Sequence, residues 1–199
     1  MTGPRPSAIV KPANYLDPLD WGAVFGRVAP VEIDLGCGKG GFLAWAAGQE
    51  PAHNFLGVDR LLVRLRKADK KVERAGLTNV RLLRLESSYL VARLIPAASV
   101  AVYHIFFPDP WPKRRHVTRR LFNADFLCAV DRTLQPGGVI NVATDDASYF
   151  ELIERVARAA GRFEVAAPLA LPAEARTEFE QLFVAQGLPI FRARYSRRD

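Results

Sequence analysis

A chain of 199 residues with 49% hydrophobic and 25% charged side chains can bury one full core without disulfide or metal staples, and its composition excludes bulk disorder. Two cysteines, Cys37 and Cys128, are too few for a disulfide framework. The longest uncharged stretch, Leu94 to Pro108, is too short to span a bilayer, and the N-terminus lacks a signal-peptide core, so a reducing cytoplasm is the expected setting. The net charge of +7 is concentrated: residues 60–74 carry +5, residues 113–120 another +5 and residues 192–199 +3, which leaves −6 for the remainder and suits a polyanionic partner.

The first thirty residues hold five prolines and little periodicity, and they read as an extended lead-in to a domain spanning 31–199. From residue 31, apolar runs alternate with helical patterns. Val31–Leu35 reads as a strand, followed by a glycine turn and a helix near 40–48. Asn54–Asp59 is a second strand, and a basic amphipathic helix follows from about 61 to 74, stopped by Gly76. Val80 to Leu85 is a third strand, a short helix occupies 88–94, and Val100 to Phe107 is the most apolar strand. A helix near 118–133 is expected to stop before the turn signal Pro136-Gly137-Gly138. Then come a fifth strand over 139–144, a helix over 147–160, and two closing strands at 163–165 and 190–195. This alternation calls for an α/β fold with a doubly wound, mostly parallel sheet, and ligands of such sheets bind beyond the carboxyl ends of the strands.

The loop after the first strand is Gly36-Cys37-Gly38-Lys39-Gly40-Gly41. Gly36, Gly38 and Gly41 satisfy a dinucleotide spacing, so a nicotinamide cofactor has to be considered. Glu32 and Asp34 stand in the strand just before it. Carboxylates there oppose a pyrophosphate and favour a cation, and S-adenosylmethionine carries a sulfonium and an ammonium. Asp59, closing the second strand, can accept from ribose hydroxyls, and Glu86, after the third, can sit near an adenine amino group. Asp34 taken alone reads as a junction acid that caps a helix. Cys37 reads as a small residue that fits between glycines, and no Cys/His cluster has metal-ligand spacing, so no metal is expected.

The fourth strand ends in Phe106-Phe107-Pro108-Asp109-Pro110-Trp111-Pro112-Lys113-Arg114-Arg115-His116. Prolines hold Asp109 at the strand end, and a dense basic cluster follows, a combination that suits a substrate with a base to orient and phosphates to bind. The segments EIDLGCGKGGF, FFPDPWPKRRHVTRR, ATDDASYF and RTEFEQLFVAQGLPIF resemble the bacterial tRNA (guanine-N7-)-methyltransferase (TrmB) family over about residues 31–195. The resemblance implies a class I, Rossmann-like S-adenosylmethionine-dependent methyltransferase with seven strands, the last antiparallel. It implies methyl transfer to N7 of guanosine 46 in the variable loop of tRNA, with S-adenosylhomocysteine as product. By the same resemblance Glu32, Gly36, Gly38, Asp59, Glu86 and Asp109 would contact the cofactor, and Asp109 would be the catalytic aspartate. Lys113, Asp145, Thr177, Glu178, Phe179 and Glu180 would bind substrate, and Arg115, His116, Val117, Thr118, Arg119 and Arg120 would touch RNA. Glu178 stands where the family usually carries Lys, and Leu182 where a basic residue is common.

Guanine N7 presents a lone pair and no proton, so no general base is required. Asp146 reads as a helix cap. Arg60, Arg64, Lys67, Lys71 and Arg74 fall on one helical stripe that is either an RNA surface or a solubilising face. No membrane and no obligate protein partner are expected. The competing readings are a methyltransferase acting on another RNA, on a small molecule or on protein, and a nucleic-acid-binding module with a vestigial cofactor site.

Overall fold

The computed structural model describes residues 6–111 and 119–198. At its centre β2 (Val31–Leu35) and β3 (Asn54–Asp59) have every residue buried, and β5 (Val100–Phe106) has all but one. Strands this buried need cover on both faces, and helices lie on both. On one side α2 (Gly41–Gln49) and α3 (Leu62–Arg74) pack Phe42, Leu43, Leu65, Ala68 and Val72 against the sheet. On the other side lie α1 (Trp21–Phe25), α4 (Ser87–Tyr89) with the π turn Leu90–Leu94, α5 (Ala124–Thr133) and α6 (Ala147–Ala160), around Phe25, Leu94, Phe126 and Ile153.

The described strands form one eight-stranded sheet with the order β1-β4-β3-β2-β5-β6-β8-β7. Here β1 is Ile9–Val10, β4 Val80–Arg84, β6 Leu134–Thr144, β7 Phe163–Ala166 and β8 Phe191–Arg197. The pairings from β1 to β6 are parallel, and β8 lies antiparallel between β6 and β7. The chain leaves β2 to build outward through β3 and β4, then returns to the other side of β2 as β5. That reversal opens a crevice above β2 and β5, and the glycine loop and the Pro108–Trp111 segment both start there.

Three local expectations change. The sheet has eight strands where seven are expected, because the lead-in contributes β1, which pairs Ile9 with Leu82; it also carries α1, capped by Asp20. The helix does end before Pro136-Gly137-Gly138, at Thr133, but the fifth strand starts at Leu134 and not at 139, and these residues bulge within it: Val100 pairs with Leu134 and Val102 with Val139, so the extra residues loop out with Gly137 at φ 69°. Helix α5 starts at Ala124, where the Asn123 side chain accepts from Phe126 N–H at 2.9 Å. The link between β7 and β8 carries a 3₁₀ turn, Ala173–Ala175, and α7 (Glu178–Ala185), which folds back over the glycine loop.

Candidate active site

Gly36, Gly38 and Gly40 all have positive φ (87°, 55° and 70°), whereas Gly41 is the first residue of α2. The operative spacing is therefore G-x-G-x-G, not the dinucleotide pattern through Gly41. Gly40 has a second reason to lack a side chain: a Cβ there would stand 2.7 Å from that of Ala68, so loop and α3 touch directly. Asp59 ties the loop to the end of β3. Its carboxylate accepts from Gly38 N–H (3.2 Å) and Leu61 N–H (2.7 Å), with the Arg64 guanidinium 3.6 Å away.

Above the loop is a cleft of about 430 Å³ lined by Asp34, Gly36, Gly38, Phe42, Arg64 and Phe106 from the sheet side, and by Thr177, Glu178, Phe179 and Leu182 from α7 and its cap. Asp34 is 4% exposed. Among the described residues its carboxyl makes no hydrogen bond. Burial, and then the charge of Asp59, push its pKa up to about 8. The same burial, reinforced by Asp34 and Asp59, raises the Cys37 thiol well above its usual value, so Cys37 is a protonated packing residue as its sequence context suggests.

Glu32, expected at the cofactor, lies two residues before Asp34 on the same face of β2 and is not among the residues lining this cleft. Its carboxylate is buried, with one oxygen 2.6 Å from His53 Nδ1 and the other 2.8 Å from His104 Nε2. Burial raises its pKa, yet the hydrogen bonds and charges of His104 and His53 outweigh this and hold it below the usual carboxylate value. Asp34 is the acid the fold leaves to the cleft. Glu86 is likewise engaged elsewhere: it is the N-cap of α4, accepting from Ser88 N–H and Oγ (both 3.0 Å) and Tyr89 N–H (2.7 Å), and it is not part of the cleft lining.

Glu180, expected at the substrate, is also engaged within the fold. It is 2% exposed and forms ion pairs with Arg192 and, at 3.5 Å, with Arg176, so it anchors α7 to β8 and does not face the cleft. Its neighbours do face it. Thr177 caps α7 through Oγ1, which accepts from Glu180 N–H at 3.1 Å. Glu178 reaches across to Lys39 in the glycine loop (2.5 Å) and to Lys71 on α3 (3.9 Å). Phe179 is 46% exposed, with the Arg64 guanidinium 5.9 Å from its ring centre.

Asp109 is exposed and sits three residues beyond Phe106. Phe107, between them, takes φ 53°, donates its N–H to Ala143 O at 2.7 Å and packs its ring on Phe183 of α7. A non-glycine residue held in this conformation turns the loop sharply at the sheet edge. Burial raises the pKa of the nearby Tyr149 hydroxyl, and the Asp109 carboxylate adds to that rise. Asp145, half-buried, follows β6 beside this turn, and Asp146 caps α6 through Tyr149 N–H (2.8 Å) as expected. Arg120 donates to Pro110 O at 2.7 Å and Arg119 lies 5.0 Å over the Trp111 ring, so both brace the proline loop. Lys113, Arg115, His116, Val117 and Thr118 lie outside the described residues.

Sequence reasoning passed over Lys39, set Arg64 on the basic helical stripe, and read Asp34 together with Glu32 as favouring a cation but taken alone as a helix cap. The available signal was position: Asp34 is the acid nearest the loop, and Arg64 is one turn into the helix that follows Asp59. Among the described residues no group of three His, Cys, Asp or Glu side chains is placed to hold a metal ion. No helix among them is long and apolar enough to cross a membrane.

A doubly wound sheet with a positive-φ glycine loop and an unpartnered buried acid at its switch point fits the fold of the class I methyltransferases. The fold superposes on the 16S rRNA methyltransferase KamB with a TM-score of 0.66, at 18% identity over 88% of this chain and 91% of that one. It also superposes on a geranyl diphosphate methyltransferase, with a TM-score of 0.57 and 15% identity over 88% and 75%. At such identities the likeness is one of fold alone. The family model described as "Putative methyltransferase" matches residues 28–193. The tRNA (guanine-N(7)-)-methyltransferase of Syntrophotalea carbinolica is 34% identical over 181 residues, covering 89% of this chain and 78% of that protein. The enzyme of the same name from Rubrobacter xylanophilus is 36% identical over 184 residues, covering 90% and 82%. The Nocardia farcinica enzyme is 42% identical over 143 residues, and the match spans 72% of this chain but about half (53%) of that protein. The chain belongs to the tRNA (guanine-N7-)-methyltransferase family.

Proposed function

We propose that this chain transfers a methyl group from S-adenosylmethionine to N7 of guanosine 46 in the variable loop of tRNA, releasing S-adenosylhomocysteine in the cytoplasm. The observation that carries the reading is Asp34, a buried carboxyl at the switch point with no partner among the described residues, in a chain whose relatives bear this activity. A cationic ligand supplies the charge such a carboxyl lacks, and Phe42, Phe106, Phe179 and Leu182 offer apolar walls to its uncharged parts. Bound there, S-adenosylmethionine supplies an electrophilic methyl group.

The chain's own work is placement. Asp34 balances the positive charge of the donor, and Asp59 keeps the glycine loop in its binding conformation. Asp109 and Asp145, at the ends of adjacent strands, accept hydrogen bonds from the guanine edge and so aim N7 into the cleft. The product base is cationic, and Asp109 stabilises that charge as it develops. Thr177 and Phe179 bound the base from the α7 side, and Lys113 with Arg115–Arg120 holds RNA phosphate.

Incubation with unmodified tRNA and methyl-labelled cofactor, followed by nucleoside analysis, tests the reading. Label is expected in N7-methylguanosine, and label confined to other nucleosides, protein or small molecules overturns it. Asp109→Ala is expected to abolish transfer and leave cofactor binding intact; undiminished turnover removes Asp109 from the mechanism.

A further inference from the structure

Helix α3 buries Leu65, Ala68 and Val72 and turns a different set of residues outward. Arg66, Lys67, Lys70 and Arg74 are all exposed. At 3.6 residues per turn they occupy a stripe about 100° wide and about 12 Å long. Among the described residues none of the four has an ion pair or hydrogen bond. The two acids of the helix leave a net positive charge on this face. Asp69 points to the N-terminal segment, accepting from Ser7 Oγ (2.6 Å) and Ala8 N–H (2.8 Å), and Glu73, exposed at the edge of the stripe beside Arg66, forms no ion pair with any of the four among the described residues. On the near flank, Arg64 and Lys71 reach the cleft and α7, so the stripe is continuous with the site's rim. Helix α6 shows the contrasting arrangement: its exposed Glu151, Glu154, Arg155 and Arg158 mix signs, as a face turned only to water usually does.

We propose that the exposed face of α3 is a phosphate track that binds the backbone of the RNA substrate outside the cleft. This rests on the proposed RNA substrate and enlarges its footprint beyond the loop that follows β5. Phosphodiester groups fit because four cations in three successive turns of the helix, set against Glu73 alone, give a linear, sequence-independent positive field. The track sets affinity and orientation and takes no part in methyl transfer.

The test is tRNA binding by the full chain as a function of salt, for the wild type and for a variant with Arg66→Ala, Lys67→Ala, Lys70→Ala and Arg74→Ala. The variant is expected to bind tRNA on the order of 10- to 100-fold more weakly, with the slope of log affinity against log salt reduced by roughly 3. Cofactor affinity should be unchanged. Exchanging Arg for Lys and Lys for Arg at the four positions should restore binding, because phosphate contact needs the charge and not the side-chain identity. Removing Arg155 and Arg158 from α6 should leave affinity and slope as they are. If the fourfold variant fails to fold, the pairs Arg66/Lys70 and Lys67/Arg74 replaced separately should each give about half the slope change. An unaltered slope, or an equal loss from the α6 variant, overturns the track. A wild type that methylates tRNA while the α3 variant binds it normally refutes the track alone. A wild type that binds tRNA through α3 and does not methylate it refutes the proposed activity alone. A wild type that binds no tRNA refutes both.

Discussion

Replacing Asp34 with Asn probes the cleft most directly. In the ligand-free chain the Asp34 pKa is raised from 3.8 to about 8, so near neutrality the folded state keeps a proton that the unfolded state has released. A raised carboxyl pKa makes stability fall as pH climbs from the unfolded value to the folded one, and level off beyond it. Between 3.8 and pH 7 lie about 3 pH units, each worth about 1.36 kcal/mol, so holding Asp34 in this place costs the free protein about 4 kcal/mol at pH 7. Asp34→Asn removes that cost up to the same limit. Urea denaturation at pH 5, 6, 7 and 8 should show the wild type losing stability across the range relative to the variant.

Cofactor binding should move the other way. A cation favours the ionised carboxylate, so binding expels the Asp34 proton, and affinity should rise up to tenfold per pH unit between about pH 6 and 8, then level off. Calorimetry in buffers of different ionisation enthalpy counts the proton released. The cofactor's own amine titrates nearby, and comparison with Asp34→Asn isolates the carboxyl's share. The variant should lose most affinity at pH 8 and least at pH 6. Wild-type binding with no proton released, or with the same pH profile as the variant, would refute the assignment of Asp34 to the donor.

Three further outcomes follow from the same geometry. Glu32, held below the ordinary 4.5, contributes stability that is present above that value and lost as pH falls below it. Glu32→Gln should therefore flatten the acid limb of a stability profile, and an acid limb as steep as the wild type's contradicts the His53–Glu32–His104 network. Glu180→Ala leaves the half-buried Arg192 unpaired and should cost about 3 kcal/mol in chemical denaturation; a loss below about 0.5 kcal/mol would mean that Glu180 does not anchor α7. Lys39→Glu and Glu178→Lys should each raise the cofactor KM a few-fold, with the double exchange restoring it. Because both partners are 40–48% exposed, each single change should alter stability by less than about 1 kcal/mol, and a double exchange no better than the singles argues against the contact.

Much of the frame was legible in the chain itself. A nearly continuous apolar run marked β5 because a strand covered on both faces has little polar side to show, whereas β2 and β3 were marked by short apolar stretches ending at the glycine loop and at Asp59. Helix α6 covers the expected residues 147–160 with Asp146 as its cap, since capping acts within one turn. The glycine loop and the acid at the end of β3 were visible for the same local reason. What the chain did not disclose was how its carboxylates divide their work. Glu32 and Asp34 share one face of one strand, and sequence ranked Glu32 as the ligand. Only the arrival of His104, 72 residues away, and of His53 occupies Glu32 and leaves Asp34 to the cleft. Glu180 is claimed by Arg192 from the neighbouring strand, and Glu178 becomes a partner of Lys39 only because the link between β7 and β8 folds across the sheet edge. A carboxylate's role is set by which charges and donors surround it in space. Strand and helix periodicity fixes the face on which it lies, and the long-range packing alone fixes what meets it there.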